Sequence, residues 1–286
     1  MNENLVMING EILDGQEAKF PVADRAHQFG DGVFEIVTVH EGKAFMLEEH
    51  MERFFENMVK VKMPVVYMVE ELVEFHKELI EASGMVEGEI YSQLSRGVGP
   101  YELDFPEQCI PELVMQVIPV DRAKQEALRQ EGVNLMTVPD DRWGHCDINT
   151  LNRMPEVLAR HTARVGHCYD ALFVREEKIT EAPEAAFMLV KDEILWTYPA
   201  KKNIRTNLVR DLIKKKLAPQ LDLQVLEKAF TKEFALTAEE AFLCDARNGI
   251  MPVVKIDRRK IGEGAPGQTA KDLQAALEAC MKECGK

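Results

Sequence analysis

Asp24-Arg25-Ala26-His27-Gln28-Phe29-Gly30-Asp31-Gly32-Val33-Phe34-Glu35 joins a turn-rich stretch to a β-branched, aromatic strand. The glycines on either side of Asp31 permit tight turning of the backbone and close approach of another group. Taken alone, Gly-Asp-Gly fits an ordinary loop equally well. Its neighbours narrow the reading. After it, residues 33–39 read as a strand, and Glu41-Gly42 turns the chain into a second short strand over 44–47. Before it, strands at 5–8 and 11–13 flank Asn9-Gly10, the strongest short-range hairpin signal.

Further along, the apolar period changes. Leu47, Met51, Phe54, Met58 and Val61 recur every three or four residues and predict a helix over 48–61. A second helix over 69–80 stops at Gly84, and strands follow at 89–95 and 112–118. Pro119 ends the latter, because proline donates nothing to a sheet ladder, so 119–122 reads as a linker. Beyond it the spacing predicts helices at 123–130, 152–165, 208–217 (stopping before Pro219) and 270–284. Strands are predicted at 133–138, 242–245 and 253–257, with hairpins at 171–174/178–180 and 187–190/194–197. The class is α+β, in two domains, 1–119 and 120–286.

The 286 residues carry 35 Lys plus Arg against 49 Asp plus Glu, a formal charge of −14. A chain this acidic lacks the basic face that nucleic-acid phosphates require. No apolar run reaches the roughly 18 residues of a membrane span, and no basic n-region with a long apolar stretch opens the chain, so neither membrane nor secretion is expected. Cys109, Cys146, Cys168, Cys244, Cys280 and Cys284 form no CxxC pair and no zinc-ligand spacing. Cys280 and Cys284, four apart, share a helix face. Single scattered cysteines read as reduced, mostly buried thiols of a cytoplasmic protein.

Composition and period stop at a two-domain α+β protein, and the remaining motifs go further. His50-Met51-Glu52-Arg53 lies on the first predicted long helix, and Ser95-Arg96-Gly97 ends a strand. Asp141-Arg142-Trp143-Gly144-His145-Cys146-Asp147-Ile148-Asn149-Thr150-Leu151-Asn152 follows, then Thr180-Glu181. Met251-Pro252-Val253, Ile256-Asp257 and the stretch from Gly262 to Thr269 close the series. With the opening Asp24-to-Glu35 stretch, these motifs resemble, in order and over nearly the whole chain, the class IV aminotransferases. That is the pyridoxal-phosphate family of fold type IV, which holds D-amino-acid aminotransferases, branched-chain aminotransferases and aminodeoxychorismate lyases. The stretch from Asp141 to Asn152 is closest to the D-amino-acid branch.

The resemblance implies a two-domain α+β fold with the cofactor cleft between the domains, sites built at a homodimer interface, and an amino or keto acid substrate. It implies that Arg53 holds the phosphate of pyridoxal 5′-phosphate and that Glu181 faces its pyridine nitrogen. Leu208 and Val209, with Ala246 and Arg247, fall at the two other phosphate elements, and Phe34 and Tyr101 on the substrate side. The cofactor is an electron sink. The family's lysine joins it as an imine and then carries the substrate α-proton.

Asn149 stands at that lysine position. An amide nitrogen is not nucleophilic and holds no proton at pH 7. Read for itself, Asn149 suits a turn or the first turn of a helix. Other positions depart as well. Asn207-Leu208-Val209 replaces Gly-Ile-Thr before Arg210. Cys244-Asp245-Ala246-Arg247-Asn248-Gly249 places the acid Asp245 at a phosphate element. Ala182-Pro183-Glu184-Ala185-Ala186 follows Glu181 where an Asn is usual. Tyr101-Glu102-Leu103 replaces the Arg-x-His that traps substrate carboxylate. Lys201 and Lys202 read as solvated loop residues rather than substitutes for the amine.

The expectation is a family member unable to carry out ordinary transamination, with any pyridoxal phosphate held noncovalently. The alternatives are a working D-amino-acid or branched-chain aminotransferase, with Asn149 an introduced change or part of an altered site, and a lyase-like enzyme. Cys244-Asp245-Ala246 and Leu151-Asn152-Arg153 lean towards the lyases, while Phe34-Glu35 follows the transaminase form.

Overall fold

The computed structural model describes residues 2–201 and 203–283, so Lys202 and Cys284 lie outside the account below. The chain divides into two compact units. The first runs to Asp121 and also takes in Ile148–Asn152; the second holds Arg122–Asp147 and the chain from Arg153 onward.

In the first unit, β1 (Leu5–Ile8) and β2 (Glu11–Asp14) form the hairpin expected from Asn9-Gly10. Then come α1 (Arg25–Phe29), β3 (Gly32–His40), β4 (Lys43–Ala44), α2 (Leu47–Lys60), α3 (Val69–Ser83), β5 (Gly88–Ser95) and β6 (Glu112–Pro119). The strands form an antiparallel sheet ordered β2-β1-β6-β5-β3-β4. One face is covered by α2 and α3. Val33, Val37 and Val39 pack there against Met51, Phe54 and Met58 of α2 and Leu72 and Leu79 of α3. Each such side chain contributes about 1.5–3 kcal/mol by leaving water.

Two details differ from expectation. The strand expected at 44–47 is cut short because Leu47, 5% exposed, already starts α2 from within the core. Helix α1 occupies part of the stretch that reads as turn-rich. At five residues it is too short for an apolar period and is made by its caps: Asp24 accepts from the Ala26 N–H at 2.7 Å, and Gly30 closes it at φ 66°. At Gly32 the reason for glycine is space, since a Cβ would meet Leu151 Cδ1 and the Leu94 carbonyl oxygen at 2.6 Å.

The second unit opens with α4 (Arg122–Glu131), β7 (Val133–Pro139), α5 (Met154–Val165), β8 (Asp170–Arg175), β9 (Lys178–Ile179), β10 (Ala186–Lys191) and β11 (Ile194–Thr197). After α6 (Leu208–Leu212) a π turn, Ile213–Leu217, leads into α7 (Ala218–Gln220). The helix expected to stop before Pro219 therefore continues through it. The widened turn ends two residues before Pro219, which has no N–H to donate backward. Then follow β12 (Gln224–Glu227), α8 (Lys232–Ala235), β13 (Glu240–Asp245), β14 (Gly249–Ile256), β15 (Arg259–Lys260) and α9 (Gln268–Glu283). β12 and α8 carry no sequence signal of their own; at four residues each they are too short for one.

The sheet runs β12-β11-β10-β13-β14-β7-β8-β9, with β15 beside β14; β7 lies parallel to both β14 and β8. Leu135, Leu172, Phe187, Leu243 and Met251 form one core cluster with Phe230 and Ala235. Ala159 and Ala163 of α5 form another with Val138 and Phe173. Among the described residues no helix is long and apolar enough to cross a membrane, and Cys109, Cys146, Cys168, Cys244 and Cys280 are free thiols.

The first core also buries a histidine. His76 Nδ1 donates to the Leu72 carbonyl at 2.7 Å, and Nε2 accepts from the Ser92 hydroxyl at 3.0 Å. Both ring nitrogens are thus satisfied in the neutral form, and burial pushes the ring down from 6.5 to about 4. The unfolded chain takes up a proton below pH 6.5 that the folded chain refuses until about pH 4. Stability is therefore present above pH 6.5 and is lost as pH falls towards 4, by up to about 1.4 kcal/mol per pH unit for one proton. In urea titrations, His76→Gln is expected to flatten the fall in stability between pH 6.5 and 4; an unchanged slope would contradict this account.

Candidate functional site

The site residues of the first unit hang on two carboxylates, the half-buried Asp31 and the buried Glu35. Asp31 accepts from Arg25 Nε and from Arg96 Nε, both at 2.8 Å. Arg25 Nη1 also reaches the Glu102 carbonyl, and Arg96 reaches the carbonyls of Val61 and Lys62. Burial works against the charge on Asp31, but Arg96 and Arg25 outweigh it and hold the carboxyl below its usual range. Further into β3, Glu35 accepts from Arg53 Nε at 2.8 Å and Nη2 at 2.6 Å, and from His50 Nδ1 at 3.0 Å. Burial again opposes ionisation, yet Arg53 and His50 hold Glu35 at about 2. The Nδ1–H tautomer of His50 serves Glu35 and leaves Nε2 buried without a partner among the described residues, so the ring stays neutral. Burial, the largest cause, holds its pKa below the usual value.

Arg53, read from sequence as a phosphate ligand, is therefore bound through two nitrogens to Glu35, one residue beyond Phe34. Phe34 itself is 2% exposed and stacks on Tyr91 with ring centroids 5.8 Å apart. Its N–H donates to the Asn149 carbonyl at 2.8 Å, and Val33 bridges to Thr150. Asn149 is thus fixed beside β3 through its backbone. It is 5% exposed, and its side-chain amide makes no hydrogen bond among the described residues. Tyr101 is 79% exposed and stacks on Phe29 at 5.1 Å, so it does not share an aromatic pair with Phe34.

In the second unit, Glu181 follows β9 and is 2% exposed. Its Oε1 accepts from Arg142 Nη1 at 2.6 Å and from the Arg205 backbone N–H at 2.8 Å. Its Oε2 has no partner among the described residues. Burial raises the carboxyl while Arg142 and Arg205 pull it down. Arg142 is itself clamped to Asp140 through Nε and Nη2 and lies 4.3 Å over the Phe173 ring. Three residues beyond Glu181, Glu184 accepts from Arg153 at 2.6 Å and Arg160 at 2.8 Å. Burial opposes its charge, but those arginines hold Glu184 at about 2. Glu184, in the stretch that follows Glu181, thus belongs to an ion-pair group with Arg153 and Arg160.

The arrangement brings together the other residues read from this half of the chain. Asn207 caps α6, its Oδ1 accepting from the Arg210 N–H at 2.8 Å, while its Nδ2 donates to the Cys244 carbonyl at 2.9 Å. That bond ties the start of α6 to the β13 end, where Ala246 and Arg247 form the turn into β14. The N–H groups of Leu208 and Val209 have no acceptor among the described residues. Two open backbone donors at a helix start accept an anion without any side chain. In the adjacent turn, Asp245 accepts from Asn248 N and Nδ2.

The second unit thus presents two backbone donors at 208–209 and, at Glu181 Oε2, a carboxylate oxygen without a partner among the described residues. Sequence reasoning assigned no role to Glu35, His50, Asp140, Arg142 or Arg205. Arg142 lies inside one of the motifs, and its signal is an arginine with an acid two residues before it.

The profile of the family described as amino-transferase class IV matches residues 32–256. A D-alanine aminotransferase of Staphylococcus haemolyticus is 34% identical over 270 residues, covering 94% of this chain and 95% of that protein. One from Bacillus licheniformis is 30% identical over 273 residues, covering 96% and 95%. Among solved structures, the branched-chain amino acid aminotransferase of Escherichia coli superposes with a TM-score of 0.92 at 22% identity, covering 98% of this chain and 95% of that one. The branched-chain enzyme of Thermobaculum terrenum, solved in its PLP form, gives 0.86 at 22% identity, covering 98% and 95%. The mixed α+β fold is that of the fold-type-IV pyridoxal-phosphate aminotransferases.

Arg142→Met is expected to cost about 3–5 kcal/mol in urea unfolding, because it strands Glu181 as a buried, unpaired charge. Adding Glu181→Gln should restore more than about 1 kcal/mol of that loss; strict additivity of the two changes would show that the pair is not coupled.

Proposed function

We propose that this chain, which belongs to the class IV aminotransferase family, does not carry out ordinary transamination and binds pyridoxal 5′-phosphate or its amine form without a covalent bond. The single observation behind this reading is the residue at 149. The resemblance aligns Asn149 with the family's lysine, and an amide neither condenses with a carbonyl nor carries a proton at neutral pH. Loss of a general base alone removes about 10²–10⁴ in rate. The covalent anchor is lost with it.

When bound, the cofactor supplies an electron sink for amino acids. In this reading the chain's own residues bind and orient it. The N–H groups of Leu208 and Val209 take the phosphate, with Ala246 and Arg247 in the adjoining turn. Glu181 Oε2 accepts from the ring nitrogen while Arg142 and the Arg205 N–H hold Oε1 in place. Arg53 keeps Glu35 ionised and so anchors α2 to β3 beneath Phe34 and Asn149. On the substrate side, Tyr101 offers an exposed aromatic ring to an amino or keto acid, while Phe34, 2% exposed, acts by its packing on Tyr91. The protein works as a homodimer in the cytoplasm.

A second reading keeps the D-amino-acid aminotransferase activity through an altered site. It is favoured by identity to D-alanine aminotransferases across 94–96% of the chain and by the open donors and acceptor just described.

Incubated with pyridoxal phosphate, the protein is expected to show no imine absorbance, to lose the cofactor on dialysis, and to turn over neither D- nor L-amino acids. Asn149→Lys should form an adduct that borohydride fixes to the chain. Turnover by the unsubstituted protein would overturn the proposal in favour of the second reading. Sedimentation at twice 32.5 kDa is the expected mass for the homodimer, and a monomer would refute that part.

A further inference from the structure

Arg210 is 1% exposed, and two of its side-chain nitrogens, Nε and Nη1, are buried with no hydrogen-bond partner among the described residues. The third, Nη2, lies 3.6 Å from Asp211 Oδ1, beyond hydrogen-bond reach. The acids nearby are shared with or held by Lys214, Asp211 at 3.5 Å and Glu227 at 2.9 Å. A guanidinium group is always charged, and a buried charge without a counter-ion is strongly unfavourable. Nothing among the described residues answers this one.

Arg210 also stands where two segments of the second unit meet. Its N–H donates to Asn207 Oδ1, and Asn207 Nδ2 donates to the Cys244 carbonyl, so one asparagine ties the start of α6 to the end of β13. Burial pushes the Cys244 thiol up, and Arg210 is the first charge that opposes it. The guanidinium group therefore lies between α6 and β13, with the open N–H groups of Leu208 and Val209 just before it in the chain. Asp245, the acid of the adjoining turn, has Oδ1 and Oδ2 engaged by Asn248.

We infer that Arg210 is the cation that binds the phosphate of a pyridoxal-type ligand, the part for which Arg53 is already committed to Glu35. The inference rests on the proposed binding of that cofactor and names the residue that neutralises its charge. Arg53 spends Nε and Nη2 on Glu35. Arg210 has two nitrogens to spare, and the start of α6 has two more donors. That set exceeds the two oxygens of a carboxylate and suits the three acceptor oxygens of a phosphate monoester. Charge-assisted hydrogen bonds from the guanidinium group then answer both the buried cation and the bound dianion.

Melting curves in inorganic phosphate, against chloride at matched ionic strength, test the inference. Inorganic phosphate forms no imine, so this arm is independent of residue 149. At phosphate about tenfold above its Kd, the parent should gain about 4 °C more than Arg210→Met does. Without phosphate, Arg210→Met should unfold no earlier than the parent, because an apolar side chain of similar length replaces an unanswered buried charge. An arginine with a merely structural role would lower that midpoint. In equilibrium dialysis, Arg210→Met should weaken pyridoxal 5′-phosphate at least tenfold and leave pyridoxal, which lacks the phosphate, unchanged. Equal phosphate shifts in parent and variant, a lower phosphate-free midpoint in Arg210→Met, or equal weakening of pyridoxal would each overturn the inference. Imine absorbance in the parent would overturn the noncovalent reading alone and leave the role of Arg210 to these comparisons.

Discussion

Asp31 gathers two arginines, one 6 residues before it and one 65 after it, and the start of β3 is arranged around those bonds. Arg25 comes from the short helix before it and Arg96 from the end of β5. Both guanidinium groups are almost wholly buried. Removing a charge from water is unfavourable unless a partner of opposite sign meets it. Here one carboxylate meets two, and both arginines direct their remaining donors to backbone carbonyls. The consequence is a fixed start for β3. Gly32 then passes Leu151 and Leu94 with no room for a Cβ, and the backbone of β3 receives Asn149 and Thr150. Position 149 is thus held by main-chain bonds that are indifferent to its side chain. That is why an asparagine sits there without disturbing the fold.

The second unit follows the same principle with a different outcome. Glu181 keeps one oxygen in a firm ion pair and leaves the other without a partner among the described residues. The start of α6 keeps two donors open although the glycine and hydroxyl of the family pattern are absent. Backbone donors survive substitution of the side chains that carry them. A nucleophilic amine has no backbone equivalent. Main-chain donors and side-chain nitrogens thus answer differently to substitution: the first are kept by the fold, the second by residue identity alone.

Much of the fold is legible in the order of residues alone. The long amphipathic helices α2, α3, α5 and α9 and the strands β3, β5 and β6 declare themselves because burial of one face imposes a period. The pieces without a signal, α1, β12 and α8, are four or five residues long. They are made by caps and by neighbouring strands rather than by periodicity. The run through Pro219 escapes notice because local propensity argues for a stop, whereas a π turn lets the helix continue.

The sequence by itself determined the family, the order of the motifs and the identity of the residue at 149, since these are matters of which side chain stands where. Only the tertiary structure decided what those side chains do to one another. Arg53 is bound to Glu35, Glu181 is held by Arg142, and Arg210 is buried with no acceptor for Nε and Nη1 among the described residues. Pairings between residues dozens of positions apart have no trace in local pattern. They follow from which charges the packed core brings within hydrogen-bond reach as it excludes water.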